Sequence, residues 1–320
     1  MFSAQVDTFA FTSSARATAT TPKWRASNWS NTVPDNGAIE NVNEPVAMRR
    51  ARFVVAYDGA GFHGFAVNPN VDTVMGVLTE AMSLITRHDV DLVGAGRTDA
   101  GVHAWGQVIS CDLPGNTVLS NLVHRVNRMC GPRVVLRSGE WMPHEFNARF
   151  SAQWRHYRYT IYNGSTANPF LTDRAWHVTR PLLLPTMQLA CDPLIGEHDF
   201  SSFCRKPQVA EGQAERSLRR RVMLANISDV TATTDAIGPN AGEARVLRFE
   251  IRANAFCHQM VRSIVGALVD VGLGRMHAGE MRSLMLGRDR QAAPEIAPAR
   301  GLVLWEVGYP ETVVSDQRLR

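Results

Sequence analysis

Residues 247–253 read Leu-Arg-Phe-Glu-Ile-Arg-Ala, with an apolar side chain at every second position and a charged one between them. Successive side chains of a strand point to opposite faces, so this pattern is typical of a β-strand with one buried and one solvent-facing side. Val261, Ile264, Val265 and Leu268 follow at the spacing of one helix face. The adjacent strand and helix predict a layered fold of sheet and helices.

The same two periods recur along the rest of the chain. Helices are predicted over 75–85, 117–130 and 185–194, and extended segments over 52–57, 91–95, 105–111, 133–141, 155–162 and 301–308. The connections include both hairpin-like turns and helical crossovers. This mixture favours an α+β fold of two layers over a single doubly wound sheet.

Length and composition set the class of protein. The chain has 320 residues, of which 45% are hydrophobic and 20% are charged, enough for one large domain or two modest ones. No run approaches the roughly 18 uninterrupted apolar residues of a membrane-spanning helix. The five cysteines include no C-x-x-C pair, which argues against a disulfide scaffold or a zinc site. We therefore expect reduced thiols in a cytoplasmic protein.

Residues 1–47 differ in composition from the rest of the chain. They are rich in Ser, Thr, Ala and Asn and show neither helical nor strand periodicity, which predicts a disordered extension. The segment lacks the apolar centre of a signal peptide, and its four acidic residues argue against a transit peptide. Met48 directly precedes the first predicted strand, so translation from this second start is an alternative.

The basic residues are the first pointer to a partner. The net charge is +4, and 32 of the 34 basic residues are arginine. Arginine suits bidentate phosphate contacts and stacking on bases, which favours a nucleic-acid partner. A GC-rich genome produces the same bias without any function, so the composition leaves both explanations open.

The glycine-rich segments do not match the common nucleotide-binding motifs. In the hexapeptide 94–99, Asp99 stands where a dinucleotide-binding motif has its third glycine, and its carboxylate would repel a pyrophosphate. The sequence also contains no P-loop, no zinc-protease motif and no EF-hand loop. The sequence therefore predicts neither a dinucleotide site nor a P-loop.

Asp99 lies in the loop Arg97-Thr98-Asp99-Ala100-Gly101-Val102-His103. An Asp among glycines is most often a turn residue that bonds to its own backbone. The alternative is an exposed carboxylate that a nearby arginine keeps ionised, and that acts as nucleophile or general base. Arg97 and Arg262 are the candidates for that arginine, although an isolated helical arginine such as Arg262 is usually solvated.

Two further segments combine basic residues with possible ligand contacts. Tyr157 lies in a strand that interleaves aromatic and basic residues, and it is either an ordinary core tyrosine or a platform for an unstacked base. Arg219, Arg220 and Arg221 form a basic run that either follows phosphates or discourages pairing at a solvated strand edge.

These segments resemble the tRNA pseudouridine synthase A family. The matching pieces occur in family order within 48–310, namely 57–59, 61–64, 95–103, 146–152, 157–159, 196–203 and 254–262. The most specific of them is the string Gly-Arg-Thr-Asp-Ala-Gly-Val-His at 96–103. Several ordered matches make a chance resemblance remote.

The resemblance implies a tRNA pseudouridine synthase, an isomerase that acts on uridines 38, 39 and 40 in the anticodon stem-loop. It implies that Asp99 is the nucleophile and that Arg262 is its partner. It further implies that Tyr157 stacks on the uracil and that Arg97 extrudes the base from the stem. No cofactor or metal is implied, because the reaction conserves atoms and involves no redox step. Family members are homodimers with one tRNA across both subunits.

The fold that the resemblance implies is α+β, with two ferredoxin-like subdomains that carry mixed or antiparallel sheets and flank a basic central cleft. The chain then divides into an extension at 1–47, an N-terminal subdomain with the catalytic loop at 48–146, a C-terminal subdomain at 147–311 and a tail at 312–320.

One four-residue segment and one single residue depart from the family pattern. Phe65-Ala66-Val67-Asn68 stands where the family usually has Trp-Gln and a second Gln, and Asn147 replaces the usual His or Asp. Since the catalytic string is intact, we expect activity to be retained and the choice of uridine to be in question. The alternatives are a synthase with another RNA target and a non-catalytic tRNA-binding or folding chaperone, which would have no need of a nucleophile.

Overall fold

Strand β9 (Arg245–Ala253) shows the alternation that the sequence predicts. Leu247, Phe249 and Ile251 are fully buried, whereas the charged residues between them are partly exposed. In the computed structural model, which describes residues 46–205, 217–234 and 242–310, this strand lies between two others in one continuous mixed sheet. The α+β fold class is therefore confirmed.

The described residues form ten strands, all in this sheet. Besides β9 they are β1 (Met48–Tyr57), β2 (Val93–Gly94), β3 (His103–Pro114), β4 (Val134–Trp141), β5 (Trp154–Asn163), β6 (Trp176–Val178), β7 (Gly196–Asp199), β8 (Arg219–Asp229) and β10 (Leu302–Gly308). The order across the sheet is β4-β1-β3-β10-β5-β9-β8-β7, with β2 on β3 and β6 on β5. Two of the pairings, β10 with β3 and β5 with β6, are parallel, and the others are antiparallel.

The last strand of the chain lies in the middle of the sheet. In β10, Leu304 pairs with Ala104 of β3 on one side and with Tyr157 of β5 on the other. Strand β10 thus joins the strands before residue 142 to those after residue 153. It also fixes the separation between Tyr157 and the start of β3, where the loop that carries Asp99 ends.

Five helices lie within the described residues: α1 (Val74–Thr86), α2 (Leu119–Cys130), α3 (Leu184–Leu189), α4 (Met260–Gly272) and α5 (Glu280–Gly287). Thr73 caps the N-terminus of α1, and its hydroxyl accepts a hydrogen bond from the Gly76 backbone N–H. The expected helix over 185–194 is shorter, because Pro193 lacks the amide hydrogen that a continuing helix needs. The chain ends α3 at Leu189 and forms a separate 3-10 turn over Asp192–Leu194.

One pair of cysteines differs from the predicted redox state. Cys204 and Cys257 are joined in a disulfide, so the expectation of reduced thiols is wrong for these two. They are 53 residues apart, and only the fold brings them together. Cys111, Cys130 and Cys191 are free and buried.

The predicted extension and tail lie almost entirely outside the described residues, which begin at 46 and end at 310. None of the helices in the described part of the chain combines the length and apolar character needed to span a bilayer.

Candidate active site

The loop between β2 and β3 is fixed mainly through Thr98. Its buried hydroxyl is 2.8 Å from the Tyr57 hydroxyl, and its carbonyl accepts a hydrogen bond from the Phe65 backbone N–H. Asp99 lies next to this anchor, and its own carbonyl accepts from the Val102 N–H. Gly101 has a φ of +77°, which allows the loop to reverse at low steric cost. The side chain of Asp99 is thus held at the tip of a rigid turn.

The Asp99 carboxylate lies between two basic side chains. Its Oδ2 is 3.1 Å from Nη1 of Arg262, and its Oδ1 is 3.4 Å from Nε2 of His258. The Asp99 side chain is 22% exposed, so it is largely enclosed but remains open to a ligand. The carboxylate is thus held between two basic groups while its exposed part faces solvent.

Arg262 lies in the first turn of α4 and is bound at both ends. Its Nε donates to the Ala297 carbonyl at 2.8 Å, while its backbone carbonyl accepts from the Ala297 N–H at 3.1 Å. These bonds leave Nη1 directed at Asp99. The structure therefore brings Asp99 together with Arg262, one of the two arginines that the sequence offered as its partner.

Tyr157 lies on the buried face of β5 and is 7% exposed. The ring of Phe256 meets it edge-on at 4.9 Å between centroids. Burial, and to a smaller degree the charge of Asp99, raise the pKa of Tyr157 far above its usual value, so the phenol keeps its proton. Arg97 is exposed and lies two residues before Asp99. The Asp99 carboxylate, the Tyr157 ring and the basic groups of Arg262 and His258 therefore lie close together.

Comparison with known proteins gives one consistent family. A family model described as tRNA pseudouridine synthase matches residues 190–310. The tRNA pseudouridine synthase A of Brevibacillus brevis is 38% identical over 262 residues, which cover 82% of this chain and all of the relative. The chain belongs to the tRNA pseudouridine synthase A family.

Other relatives agree with this membership. The tRNA pseudouridine synthase A of Ruminiclostridium cellulolyticum is 34% identical over 82% of this chain and 100% of its own length. That of Ralstonia nicotianae is 38% identical over 82% of this chain and 91% of its own length. A solved structure of a putative chlorite dismutase matches with 7% identity and a TM-score of 0.18, over 74% of this chain and 99% of that chain. That likeness is too weak to bear on the fold.

Arg155 is a central residue of this site that the sequence did not single out. Its guanidinium donates to the carbonyls of Ala95 and Arg149 at 2.8 Å and of Asn254 at 3.0 Å, with a longer bond to Ala152 at 3.3 Å. It therefore ties the start of the loop at 95–102, which the resemblance makes the catalytic loop, to the loops at 142–153 and 254–259. Only its place in the strand of alternating basic and aromatic residues hinted at a special role.

Two histidines also contact the catalytic loop. His258, on Asp99, lies two residues before α4 begins, and its only signal was its place in the family-matching segment 254–262. His103, at the end of the family string, is buried, and its Nδ1 lies 3.1 Å from the Gly59 nitrogen and 2.9 Å from Asp58 Oδ1. Burial lowers the pKa of His103. This residue fixes the C-terminal end of the loop against β1.

The arginines at 219–221 lie on β8, where the Arg221 backbone N–H donates to Asn254 Oδ1 at 3.0 Å and the Arg221 carbonyl accepts from the Asn254 N–H at 3.1 Å. Arg219 pairs in register with Asp199 and contacts Glu197 at 3.3 Å, while Arg220 donates to backbone carbonyls of its own segment. Because β7 pairs with this stretch, the run is not a free strand edge on that side, and that interpretation is wrong there. Arg219 and Arg221 remain exposed.

The departures from the family pattern have different places in the structure. Phe65 is 1% exposed, stacks on Tyr57 at 6.0 Å and fills the space beside Gly94. It is thus a core residue beneath the catalytic loop rather than an RNA contact, whereas Val67 is 63% exposed. Asn147 accepts backbone hydrogen bonds through its side-chain oxygen, as an Asp would. Among the described residues, no group of three or more His, Cys, Asp or Glu side chains is placed to hold a metal.

Proposed function

We propose that this protein isomerises uridine to pseudouridine at positions 38, 39 and 40 in the anticodon stem-loop of tRNA. The observation that carries the proposal is the Asp99 carboxylate between Arg262 and His258, at the tip of a rigid and partly open loop. Family membership supplies the reaction class. The Asp99 site supplies a group of the kind that such a reaction needs.

The reaction breaks the bond from N1 of uracil to C1′ of ribose and forms a bond from C5 to C1′. The C5 proton is lost and N1 gains one, so atoms and electrons balance without a co-reactant. Asp99 is the nucleophile or base in each available route: attack on the uracil ring, attack on the ribose, or removal of the 2′ proton. In all three routes the Nη1 of Arg262, 3.1 Å from Asp99 Oδ2, orients the carboxylate.

The uridine must leave the base stack before it reaches Asp99, which costs a few kcal/mol. Tyr157 is the stacking partner for the extruded uracil, since base–aromatic stacking offsets about 1–3 kcal/mol. Arg97, exposed beside Asp99, is the residue that displaces the base from the stem. Arg219, Arg220 and Arg221 are assigned to phosphate contacts away from the reacting base.

At the level of the whole molecule, we assign two ferredoxin-like halves on either side of β10, with a basic cleft between them. The division at 146/147 matches the break between β4 and β5. A homodimer with one tRNA across both subunits, in the cytoplasm, completes the proposal.

Pseudouridine mapping of unmodified tRNA transcripts tests the function. Wild-type protein should convert uridines at 38 to 40, and Asp99→Asn should convert none while still binding tRNA, because the amide keeps the shape but not the charge. Asp112→Asn is the matched control, since it removes a carboxylate that pairs with Arg50 instead. Conversion elsewhere would retain the chemistry and change the target. Tight binding without conversion by wild type would favour the RNA-binding chaperone.

A further inference from the structure

An exposed aromatic ring lies on a loop beside the catalytic loop. The side chain of Phe150 is 78% exposed, and the guanidinium carbon of Arg149 lies 5.4 Å from the centre of its ring. A single exposed apolar side chain is common on protein surfaces and needs no explanation by itself. Phe150 differs because the backbone that carries it is held firmly.

Each backbone N–H from residue 147 to 151 donates to an acceptor. Asn147 donates to the Ser151 hydroxyl and Ser151 returns the bond to the Asn147 carbonyl, at 3.0 and 2.9 Å. The N–H groups of Arg149 and Phe150 donate to Asn147 Oδ1, and that of Ala148 donates to the Ser110 hydroxyl. The turn is therefore rigid, although it projects an apolar ring into solvent.

The turn is also attached to the active site. One nitrogen of Arg155, Nη2, donates at 2.8 Å both to the Arg149 carbonyl and to the Ala95 carbonyl. Ala95 begins the catalytic loop, four residues before Asp99. Because a single nitrogen bonds both carbonyls, the position of Phe150 is coupled to the position of the catalytic loop.

We propose that Phe150, with Arg149 beside it, is a stacking subsite for the RNA base that neighbours the target uridine. This inference rests on the proposed function. When a uridine leaves the stem, the adjacent base loses its stacking partner, and a flat ring on a rigid turn replaces that partner. Stacking does not read base identity, so the subsite serves any neighbour. The adjacent guanidinium suits the RNA backbone.

A fluorescent RNA tests the subsite. An anticodon stem-loop RNA with one uridine at position 39 and 2-aminopurine beside it is titrated with Asp99→Asn protein, which lacks the nucleophile. Adding Phe150→Ala should weaken binding by about 5- to 100-fold, the range for removal of one base–aromatic stack. It should also leave the 2-aminopurine brighter at saturation, because the base is no longer stacked. Phe150→Trp should retain both the affinity and the quenching.

Phe170→Ala is the matched control, because Phe170 is 87% exposed and lies on a separate 3-10 turn, Pro169–Leu171. It should change neither the affinity nor the emission. Since the Phe150 ring is exposed, its removal should leave the thermal unfolding midpoint unchanged.

Parent-like affinity and emission in Phe150→Ala would overturn the subsite. A loss of dimer mass without any change in the RNA titration would also overturn it, and would assign the ring to a protein contact. Conversion of the uridine by wild type is measured separately. If wild type converts it and the Phe150 variants behave like the parent, only the subsite is wrong; if wild type converts nothing, the proposed function is wrong.

Discussion

The side chains of Arg262 and Asp99 meet at 3.1 Å although 163 residues separate them in the chain. Arg262 is oriented by the Ala297 carbonyl, and Asp99 is oriented by a turn anchored at Thr98. Neither side chain therefore depends on a ligand for its position. Prior orientation of this kind lowers the cost of reaching the transition state.

Replacing Arg262 tests this relationship directly. Arg262→Ala should lower kcat by at least about 100-fold, as expected for the removal of an oriented charged donor at a reacting group. The kcat of Arg262→Lys should lie between those of wild type and Arg262→Ala, because one ammonium cannot reproduce the guanidinium fork that binds both Ala297 and Asp99. Single-turnover kinetics measure the effect. Arg275→Ala is the control, since it breaks an exposed ion pair with Asp270 of the same 3.1 Å length. An equal loss of kcat in Arg275→Ala would contradict a special role for Arg262.

His258 should contribute less than Arg262. Its Nε2 is 3.4 Å from Asp99, and its side chain is 49% exposed, so solvent screens the interaction. We expect His258→Ala to lower kcat by less than about tenfold. The same single-turnover assay checks this value. A loss as large as that of Arg262→Ala would instead identify His258 as a proton-transferring group.

The exposed arginines of β8 should affect affinity rather than base choice. Arg219→Ala and Arg221→Ala should each weaken tRNA binding and reduce the slope of log Kd against log salt by about one for each phosphate that the variant no longer binds. Filter binding over a salt series measures this slope, and modification mapping should show the same uridines. Unchanged affinity at low salt would show that these arginines bind no phosphate and form only a solvated strand surface.

Acid should destabilise the fold through its buried histidines. Burial lowers the pKa of His103 and of His156, so between the lowered pKa and the ordinary value near 6.5 the unfolded chain binds more protons than the folded chain. The free energy of unfolding should therefore decrease as the pH falls through this window. Denaturant titrations at several pH values measure it, and His156→Gln should flatten the slope. A stability that rises on acidification would contradict the assignment.

The disulfide makes a prediction about thiol chemistry. Under denaturing, non-reducing conditions, alkylation should label three of the five cysteines, and reduction should expose all five. Cys257→Ser should lower the free energy of unfolding by about 2–4 kcal/mol, the usual contribution of such a cross-link. Reduced wild-type protein should show a similar loss. Labelling of all five without a reductant would rule out the bond.

The sequence predicted the elements whose pattern is local. The alternation at 247–253 predicted β9, and the apolar stripe that begins at Val261 predicted α4. Both predictions succeed because buried and exposed side chains repeat along the sequence with the period of the strand or helix. Asp99 and Tyr157 were identified from short strings that specify one family. The predicted helix over 185–194, which rested on Pro185 and Gly196 as its end signals, stops at Leu189, because Pro193 cannot donate the backbone hydrogen bond of a continuing helix.

The contacts that assemble the site needed the tertiary structure. A period shows that a face is buried, but it does not show which residue buries it. The insertion of β10 between β3 and β5, the bonds from Arg155 to the Ala95 and Asn254 carbonyls, and the Cys204–Cys257 bond all join segments far apart in the chain. Such pairs leave no local pattern. The sequence by itself thus determined which residues are the candidates for the chemistry, while only the fold decided how they are held, because long-range packing sets each orientation.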